Sequence, residues 1–226
     1  IEITMVPTPP PAPLSCSGPS FSPTSFPTGT NPTNMAVADY NNDNKADLAV
    51  VNQASNDVSI LLGNGNGTFG AQTTFAAGSG AYAIVAGKFN ADNNFDLAVA
   101  NSGSGNVSIL LGNGNGTFAA ATNVAAGVNP ISIDSADFNG DGKVDLAVAN
   151  FGGFFYGSVT ILIGNGTGGF TLGTPVRTRT QPSYVAATNF NGDGNQDLII
   201  ASFGANSVST FAGTGNGTFQ LNQNIL

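Results

Sequence analysis

The chain has 226 residues, of which only 8% are charged, and five Lys and Arg against 13 Asp and Glu give a net charge of −8. This length suits one domain, and so acidic a balance argues against nucleic-acid binding. The lack of His removes His-based acid–base chemistry and His-ligated metals, while a single Cys excludes an intrachain disulfide and a thiolate cluster. No run of about 18 apolar residues predicts a membrane span.

Residues 1–26 are predicted to form an extended arm. Residues 1–34 hold nine of the 12 Pro together with many Ser and Thr, a composition that has no core of its own. The arm ends in FSPTSF (21–26), which is similar to the outer strands of the repeats described next, so we expect a donated strand there. An open sheet edge on a neighbouring copy could accept that strand. Cys16 could form an interchain disulfide or remain a free thiol.

From residue 27 onward the sequence repeats four times. The segments DLAVVN, DLAVAN, DLAVAN and DLIIAS begin at Asp47, Asp96, Asp145 and Asp197, with spacings of 49, 49 and 52 residues. Each is followed by a turn rich in Gly and Asn, such as GNGNGTF. The three extra residues fall near FGGFFYGS (151–158). The repeats predict units at about 27–76, 77–125, 126–177 and 178–226.

Each repeat predicts four strands. In the first copy these are NMAVADY (34–40), DLAVVN (47–52), DVSILLG (57–63) and FGAQTTF (69–75). The run LAV is apolar on both faces, which is typical of a strand between two covering layers. Asn-Gly pairs supply the positive φ that tight hairpins need. Repeated four-stranded units of about 40–50 residues are the signature of propeller blades, so the predicted fold is an all-β propeller of four four-stranded blades.

A nine-residue loop rich in Asp and Asn separates the first two strands of every repeat. Its copies are DYNNDNKAD (39–47), KFNADNNFD (88–96), DFNGDGKVD (137–145) and NFNGDGNQD (189–197), and they hold ten of the 12 Asp residues. Oxygen-bearing side chains recur at places 1, 3, 5 and 9, and place 7 offers its backbone carbonyl. Because Ca²⁺ takes six to eight oxygen ligands, the loops predict calcium sites.

The four loops are not expected to bind calcium equally. The third has glycines that ease the turn and is predicted to be strongest, whereas the fourth begins with Asn189 and lacks one charge. The second begins with Lys88, an ammonium group where a ligand belongs, so we expect about three calcium ions. The alternative is a set of Asx-rich turns that hold no metal. The candidate ligands are Asp39, Asn41, Asp43, Lys45, Asp47, Asn90, Asp92, Asn94, Asp96, Asp137, Asn139, Asp141, Lys143, Asp145, Asn189, Asn191, Asp193, Asn195 and Asp197.

The pattern D-x-N-G-D-G-x-x-D-L, followed by AVAN and LLGNGNGTF, resembles FG-GAP/VCBS-type repeats, the calcium-binding blades of integrin-α-like propellers. The resemblance covers about residues 27–226. It implies an extracellular β-propeller with Ca²⁺ in the nine-residue loops. That family commonly closes with seven blades, while this chain supplies four. A four-bladed ring, an eight-bladed ring built from two chains and a piece of a longer protein are therefore all open.

Nothing in the sequence predicts catalysis, because no His or suitable Lys base accompanies the many Ser and Thr residues. We predict a non-enzymatic, extracellular or cell-surface module with a structural or adhesive role, since weak multi-Asp sites suit millimolar calcium. We expect it to self-assemble through its arm, as a homo-oligomer or filament. The alternative is a carbohydrate- or protein-recognition propeller. Asn-x-Ser/Thr sequons, which could carry glycans or serve only as turns, occur at Asn66, Asn106, Asn115, Asn165 and Asn216.

Overall fold

The computed structural model describes residues 24–153 and 156–225. Most of the predicted arm, with Cys16, and the aromatic residues 154–155 lie outside the described residues. Within the described ranges the regular secondary structure is almost entirely β-strand, and the one helical element there is a 3-10 turn at Phe203–Ala205. This turn is far too short to cross a bilayer, and no other described segment is a membrane-spanning helix.

The described strands form four antiparallel sheets, which are the four blades. Blade 1 contains β1 (Pro32–Ala38), β2 (Asp47–Asn52), β3 (Asp57–Leu61) and β4 (Thr73–Ala76). Blade 2 contains β5 (Ala81–Gly87), β6 (Asp96–Asn101), β7 (Asn106–Leu110) and β8 (Thr122–Ala125). Blade 3 contains β9 (Pro130–Ala136), β10 (Asp145–Gly153), β11 (Tyr156–Gly164), β12 (Phe170–Leu172) and β13 (Val176–Arg177). Blade 4 contains β14 (Pro182–Thr188), β15 (Asp197–Ser202), β16 (Ser207–Gly213) and β17 (Phe219–Ile225).

Every blade is a meander in which the strands lie side by side in chain order. The predicted fold, an all-β propeller of four four-stranded blades, is confirmed. In blade 3 the outer place is divided between β12 and β13, both of which pair with β11. Pro175 lies between these two pieces, and proline has no N–H to donate to a sheet. Blade 3 therefore has five strand segments in four strand places.

The segment before blade 1 packs on that blade without forming a strand. Residues 24–28 form no strand within this chain, and a strand donated to a neighbouring copy stays a prediction. Phe26 packs edge-on against Phe69, with ring centroids 5.2 Å apart. Phe75, at the outer strand of blade 1, packs in the same way on Phe118 of blade 2 at 5.3 Å. Phe26 therefore makes with blade 1 the aromatic contact that Phe75 makes with blade 2.

The hydrophobic core lies between the blades rather than inside one closed shell. Val51, Val58 and Ile60 of blade 1 pack against Leu97 and Leu110 of blade 2, and all are essentially buried. Corresponding residues fill the spaces between blades 2 and 3 and between blades 3 and 4. Burying one aliphatic side chain of this size stabilises the fold by about 1.5–3 kcal/mol. The double-sided apolar pattern of the second strands therefore joins neighbouring blades.

The blades form an arc with two open ends. The first strands of the blades, which line the axis, touch in the order β1, β5, β9 and β14. No comparable contact joins β14 back to β1 in the described part of the chain. Three interblade clusters are found there for four blades, whereas a closed ring of four would need a fourth. One sheet surface of blade 1 and one of blade 4 consequently have no neighbouring blade.

Two sets of loops define the two faces of the arc. The loop face carries the nine-residue loops and the Gly-Asn turns, and the opposite face carries the connections from each second strand to the third. On the opposite face, the buried amide of Asn52 donates to Asp57 Oδ1 at 2.7 Å and to Ser59 Oγ at 2.9 Å. Asn101 repeats this arrangement in blade 2. These bonds tie the ends of adjacent strands together.

Candidate metal centre

The aspartate at place 9 holds each nine-residue loop to its blade. In blade 3, Asp145 Oδ2 accepts a hydrogen bond from Phe138 N–H at 3.0 Å, and Oδ1 accepts one from Gly164 N–H at 2.8 Å. The same two bonds, at 2.7–3.1 Å, recur in the other blades. All four place-9 aspartates are fully buried; they are Asp47, Asp96, Asp145 and Asp197.

This structural role was missed by the sequence analysis, which treated place 9 only as a metal ligand. A signal was present, because each of these aspartates opens a strand that is apolar on both faces. A charge at the start of such a strand requires fixed hydrogen-bond donors. The carboxylate supplies two acceptors to two different turns, so the position determines the shape of the loop before any cation is considered.

The third loop gathers side-chain oxygens around its own backbone. Asp137 Oδ1 and Asn139 Oδ1 both face Asp141 N–H, at 3.3 and 2.9 Å. Asp137 also accepts hydrogen bonds from Gly140 N–H at 2.7 Å and Gly142 N–H at 2.8 Å. Two oxygens that share one donor must lie close together. The oxygens of places 1 and 3 are therefore close together and here serve backbone groups, while their role as metal ligands stays a prediction.

The first loop has the same geometry without the glycines. Asp39 Oδ1 and Asn41 Oδ1 both accept from Asp43 N–H at 3.1 Å. Asp39 Oδ2 accepts from Asn44 N–H at 2.6 Å. Asn42 and Asn44 have φ values of 60° and 63°, in the left-handed region that asparagine tolerates better than most residues. Asparagine thus replaces the glycines of the third loop.

The fourth loop is held to its blade by the same hydrogen bonds to its place-9 aspartate, and it has one carboxylate fewer than the third. Asn189 Oδ1 accepts from Gly192 N–H at 2.8 Å, and Asn191 Oδ1 accepts from Asp193 N–H at 2.9 Å. An amide offers one oxygen where the carboxylate of Asp137 offers two. Asp137 accepts from four backbone N–H groups of its turn, whereas Asn189 accepts only from Gly192 N–H.

The second loop differs at place 1. Asn90 and Asp92 form the expected bonds to the backbone, at 3.1 and 2.9 Å. Lys88 pairs with neither Asp92 nor Asp96, and its ammonium lies 5.5 Å from the centre of the Phe95 ring. A cation over an aromatic ring is attracted by the ring electrons. The lysine therefore leaves the loop without a place-1 oxygen and does not substitute for a cation between the aspartates.

Two further lysines occupy place 7 of the first and third loops. Lys45 Nζ lies 3.0 Å from Asp43 Oδ2, and Lys143 Nζ lies 3.2 Å from Asp141 Oδ2. Their backbone N–H groups donate to the other carboxylate oxygen at 2.9 Å in both loops. Asn94 and Asn195 occupy place 7 of the remaining loops. The place-7 lysines reduce the negative charge next to the place-5 aspartates.

The electrostatics of the loops divide into two groups. Burial raises the pKa of Asp145 above its ordinary value, and the negative charges of Asp141 and Asp137 raise it further. Burial likewise raises the pKa of Asp96, and the charge of Asp92 adds to this effect. The pKa of Asp43 is lowered mainly by the hydrogen bond from the Lys45 side chain. Mutual repulsion around place 9 is the condition that a bound cation would relieve.

The donor set suits a hard cation. No group of three or more His, Cys, Asp or Glu side chains is placed to hold a metal within the described ranges. A site in one of the nine-residue loops would therefore rest on fewer than three converging carboxylates, supplemented by Asn and backbone oxygens. Those are the ligands that Ca²⁺ accepts, and in the first and third loops the place-1 and place-3 oxygens already converge. The residues therefore fit a calcium ion, which would replace the backbone N–H groups as their partner.

Four of the five predicted sequons lie in tight turns, and the fifth, at Asn106, begins β7. Asn66 Oδ1 accepts from both Thr68 N–H and Thr68 Oγ1, at 3.1 and 2.7 Å. Asn115 makes the same pair of bonds to Thr117. The Asn-Gly-Thr pattern therefore has a complete explanation in hairpin geometry, and glycosylation stays a prediction.

A second concave region lies on the opposite face, between blades 1 to 3. It is a cleft lined by Gln53, Tyr82, Ser102, Asn129, Ile131 and Phe151. Two aromatic rings and several amide and hydroxyl groups make this lining amphipathic. The sequence analysis did not connect Phe151 with Tyr82, because they lie in different repeats.

Comparison with known proteins agrees with the repeat assignment. A family model for the FG-GAP-like repeat matches residues 39–99 and again residues 88–148. These matches span the first three nine-residue loops and the second strands that follow them. None of the curated protein sequences compared with the chain matches it.

Solved structures share the fold at low sequence identity. BBS1N in complex with ARL6DN superposes with a TM-score of 0.60 at 14% identity, over 87% of this chain and 58% of that one. A candidate 6-phosphogluconolactonase from Bacteroides fragilis gives 0.64 at 21% identity, over 84% and 54%. An Agrocybe aegerita lectin that recognises non-reducing terminal N-acetylglucosamine gives 0.56 at 22% identity, over 84% and 51%.

The chain spans about half to three fifths of the length of these structures. At such identities the similarity concerns the fold and not the activity. The two family matches fall on the loops and strands that build the blades described above. The chain is therefore an FG-GAP-like repeat protein with a β-propeller fold.

Proposed function

We propose that this chain is a non-enzymatic, extracellular or cell-surface propeller that binds calcium and serves as a structural or adhesive module. One observation carries the proposal: in the first and third loops, the oxygens of places 1 and 3 converge on a single backbone N–H. Calcium would supply a positive charge that binds these oxygens together and offsets their repulsion. Three ions would reduce the net charge from −8 to about −2.

Extracellular calcium is the cation that such sites fit. Carboxylate-poor, partly exposed loops bind calcium weakly, with dissociation constants of roughly 10⁻⁴–10⁻³ M in extracellular modules. The place-1, place-3 and place-5 side chains here lie at the surface or are only half-buried. Cytosolic calcium would be too dilute to fill them. A location outside the cell follows from that affinity.

Isothermal titration calorimetry with CaCl₂ on the chelator-treated full chain tests calcium binding. We expect about three ions per chain with dissociation constants near 10⁻⁴ M, and little heat from equimolar MgCl₂. Asp137→Ala should lower the count by one. The matched variant Asp92→Ala, in the loop that begins with Lys88, should leave the count unchanged. A flat titration of the wild-type chain would contradict the proposal.

Self-assembly through the arm is the second part of the proposal. The contact of Phe26 with Phe69 places Phe26 at the open end of blade 1. A neighbouring copy would meet the arm at that end. If the arm drives assembly, light scattering should show larger particles for the full chain than for a chain without residues 1–23. Equal sizes for the two proteins, both folded by circular dichroism, would exclude a role for the arm.

Carbohydrate recognition is the second candidate function, and the cleft beside Tyr82 favours it. An aromatic ring flanked by amides and hydroxyls offers both a stacking surface and hydrogen bonds to a sugar. A glycan array probed with the full chain tests this function. Retention that is lost in Tyr82→Ala, but kept in the exposed control Leu172→Ala, would support it. No retention on the array would leave the structural role alone.

A further inference from the structure

The two open ends of the arc carry the two halves of one interface. We call the sheet surface that a blade turns to the preceding blade its leading face, and the surface turned to the following blade its trailing face. The leading face of blade 2 packs against the trailing face of blade 1, and blades 3 and 4 pack against the preceding blade in the same way. The leading face of blade 1 and the trailing face of blade 4 are left over.

The leading face of blade 1 exposes a residue that every other blade buries. Met35 is 60% exposed. Its repeat equivalents, which pair with the same position of the second strand, are Ile84, Ile133 and Val185, and their exposures are 6%, 8% and 1%. Each of these three lies in an interblade cluster. Met35 is therefore a core residue whose neighbouring blade is missing.

The trailing face of blade 4 shows the complementary vacancy. Phe190 is 36% exposed, while its equivalents Tyr40, Phe89 and Phe138 are 1–2% exposed. These three rings pack edge-on against an aromatic ring of the next blade. The pairs are Tyr40–Phe118, Phe89–Phe170 and Phe138–Phe219, with centroids 5.7, 5.4 and 5.5 Å apart. The ring that would meet Phe190 by the same rule is Phe69 of blade 1.

A backbone hydrogen bond accompanies each of those aromatic pairs. Gly116 N–H donates to Tyr40 O at 2.9 Å, Gly168 N–H to Phe89 O at 2.8 Å, and Gly217 N–H to Phe138 O at 2.8 Å. The fourth such pair would be Gly67 N–H and Phe190 O, and neither has a backbone partner of this type in the described residues. Gly67 has an open surface, since a Cβ built there meets nothing within 4 Å.

From these vacancies we propose that the trailing face of blade 4 docks on the leading face of blade 1 of a second copy. A second copy is the occupant that the molecule argues for, because it brings the repeat's own trailing face, with Phe190 and its carbonyl. The contact would bury Met35 and restore the Phe190–Phe69 pair. It would continue the three interfaces already present within the chain. Such a contact joins different surfaces on the two partners.

Analytical ultracentrifugation of the full chain with 1 mM CaCl₂, from about 1 to 100 μM, tests the proposal. We expect a mass of at least two copies of the 22.6 kDa chain. Met35→Asp and Phe190→Asp should each give a monomer. Leu172→Asp is the matched control, because Leu172 is 65% exposed on an internal blade, and it should assemble like the wild type.

A mixture of the two monomeric variants provides the sharpest result. Met35→Asp keeps an intact trailing face and Phe190→Asp keeps an intact leading face, so an equimolar mixture should form a complex of two chains. That complex would also show that both variants fold. A wild-type chain that stays monomeric to 100 μM, or an assembly that survives both substitutions, would overturn the proposal. The latter result would identify the arm or another surface as the contact.

Discussion

The second and third nine-residue loops are held to their blades in the same way and differ in the residue at place 1. In both, a buried aspartate accepts hydrogen bonds from the place-2 residue and from the glycine after the third strand. Only the third has a carboxylate at place 1, because the second has Lys88. The comparison teaches that the shape of the loop and its charge are controlled by different positions. Place 9 sets the shape, and places 1, 3 and 5 are the positions at which we propose that a cation binds.

The largest expected effect comes from replacing the place-9 aspartate, which holds the loop to its blade, in the second or the third loop. Asp145→Ala and Asp96→Ala each leave two backbone N–H groups without acceptors, at about 1–3 kcal/mol per group. We expect each to lower the free energy of unfolding by about 2–5 kcal/mol. Urea denaturation in EDTA measures this. A large difference between the free energies of unfolding of the two variants in EDTA would show that the place-9 aspartate does not stabilise both loops in the same way.

Chelation is expected to have the next largest effect. Three sites with dissociation constants near 10⁻⁴ M at 1 mM calcium contribute about 4 kcal/mol in total. For a domain of this size that corresponds to a fall in Tm of about 10 °C in EDTA. Differential scanning calorimetry with and without EDTA provides the measurement. An unchanged transition would mean that the loops are stable turns that need no metal.

Removing one carboxylate should reduce the calcium-dependent stability when it lies in the third loop and leave it nearly unchanged when it lies in the second. Asp137→Ala is expected to lower the calcium-dependent part of the stability by about 1.4 kcal/mol. This is the contribution of one site when the calcium concentration is about ten times its dissociation constant. Asp92→Ala should change that part by less than about 0.5 kcal/mol. The measurement is the difference between urea curves in calcium and in EDTA. Equal calcium-dependent losses in both variants would show that Lys88 does not impair the second loop.

The smallest expected effect is a gain in calcium-dependent stability. Lys88→Asp gives the second loop the place-1 carboxylate of the third, so it should add one calcium ion and about 1 kcal/mol of calcium-dependent stability. Lys88→Ala removes the ammonium without adding a ligand and serves as the control. Calorimetric titration counts the ions. A count unchanged from that of the wild type would show that place 1 does not limit binding in this loop.

The sequence was sufficient for the fold because the repeats report the same structure four times. The bounds of β2 and β6, with Asp at the start and Asn at the end, agree with the predicted second strands. Outer strands were less predictable, since their pairing depends on one neighbour only. The stretch 69–75 was predicted as a strand, but the strand begins at Thr73, and Phe69 makes one isolated bridge to Gly63.

The loops were predictable as a set but not in the role of each residue. The alternation of Asp and Asn located places 1 and 3, whose oxygens meet at one backbone N–H in the first and third loops. The burial of Asp145 depends on Gly164, 19 residues away, and sequence spacing alone does not reveal which backbone groups meet it. Sequence spacing likewise does not reveal that the Lys88 ammonium lies over the Phe95 ring. The two open ends of the arc became visible only when equivalent residues, such as Met35 and Ile84, could be compared in burial.

The most direct test of the account is an anomalous difference map from a crystal of this chain grown in calcium. The account predicts peaks within about 2.3–2.6 Å of side-chain oxygens in the first, third and fourth loops. The loop that begins with Lys88 should show none. A map with no peak at Asp137, Asn139 and Asp141, the residues of the loop best suited to calcium, would contradict it.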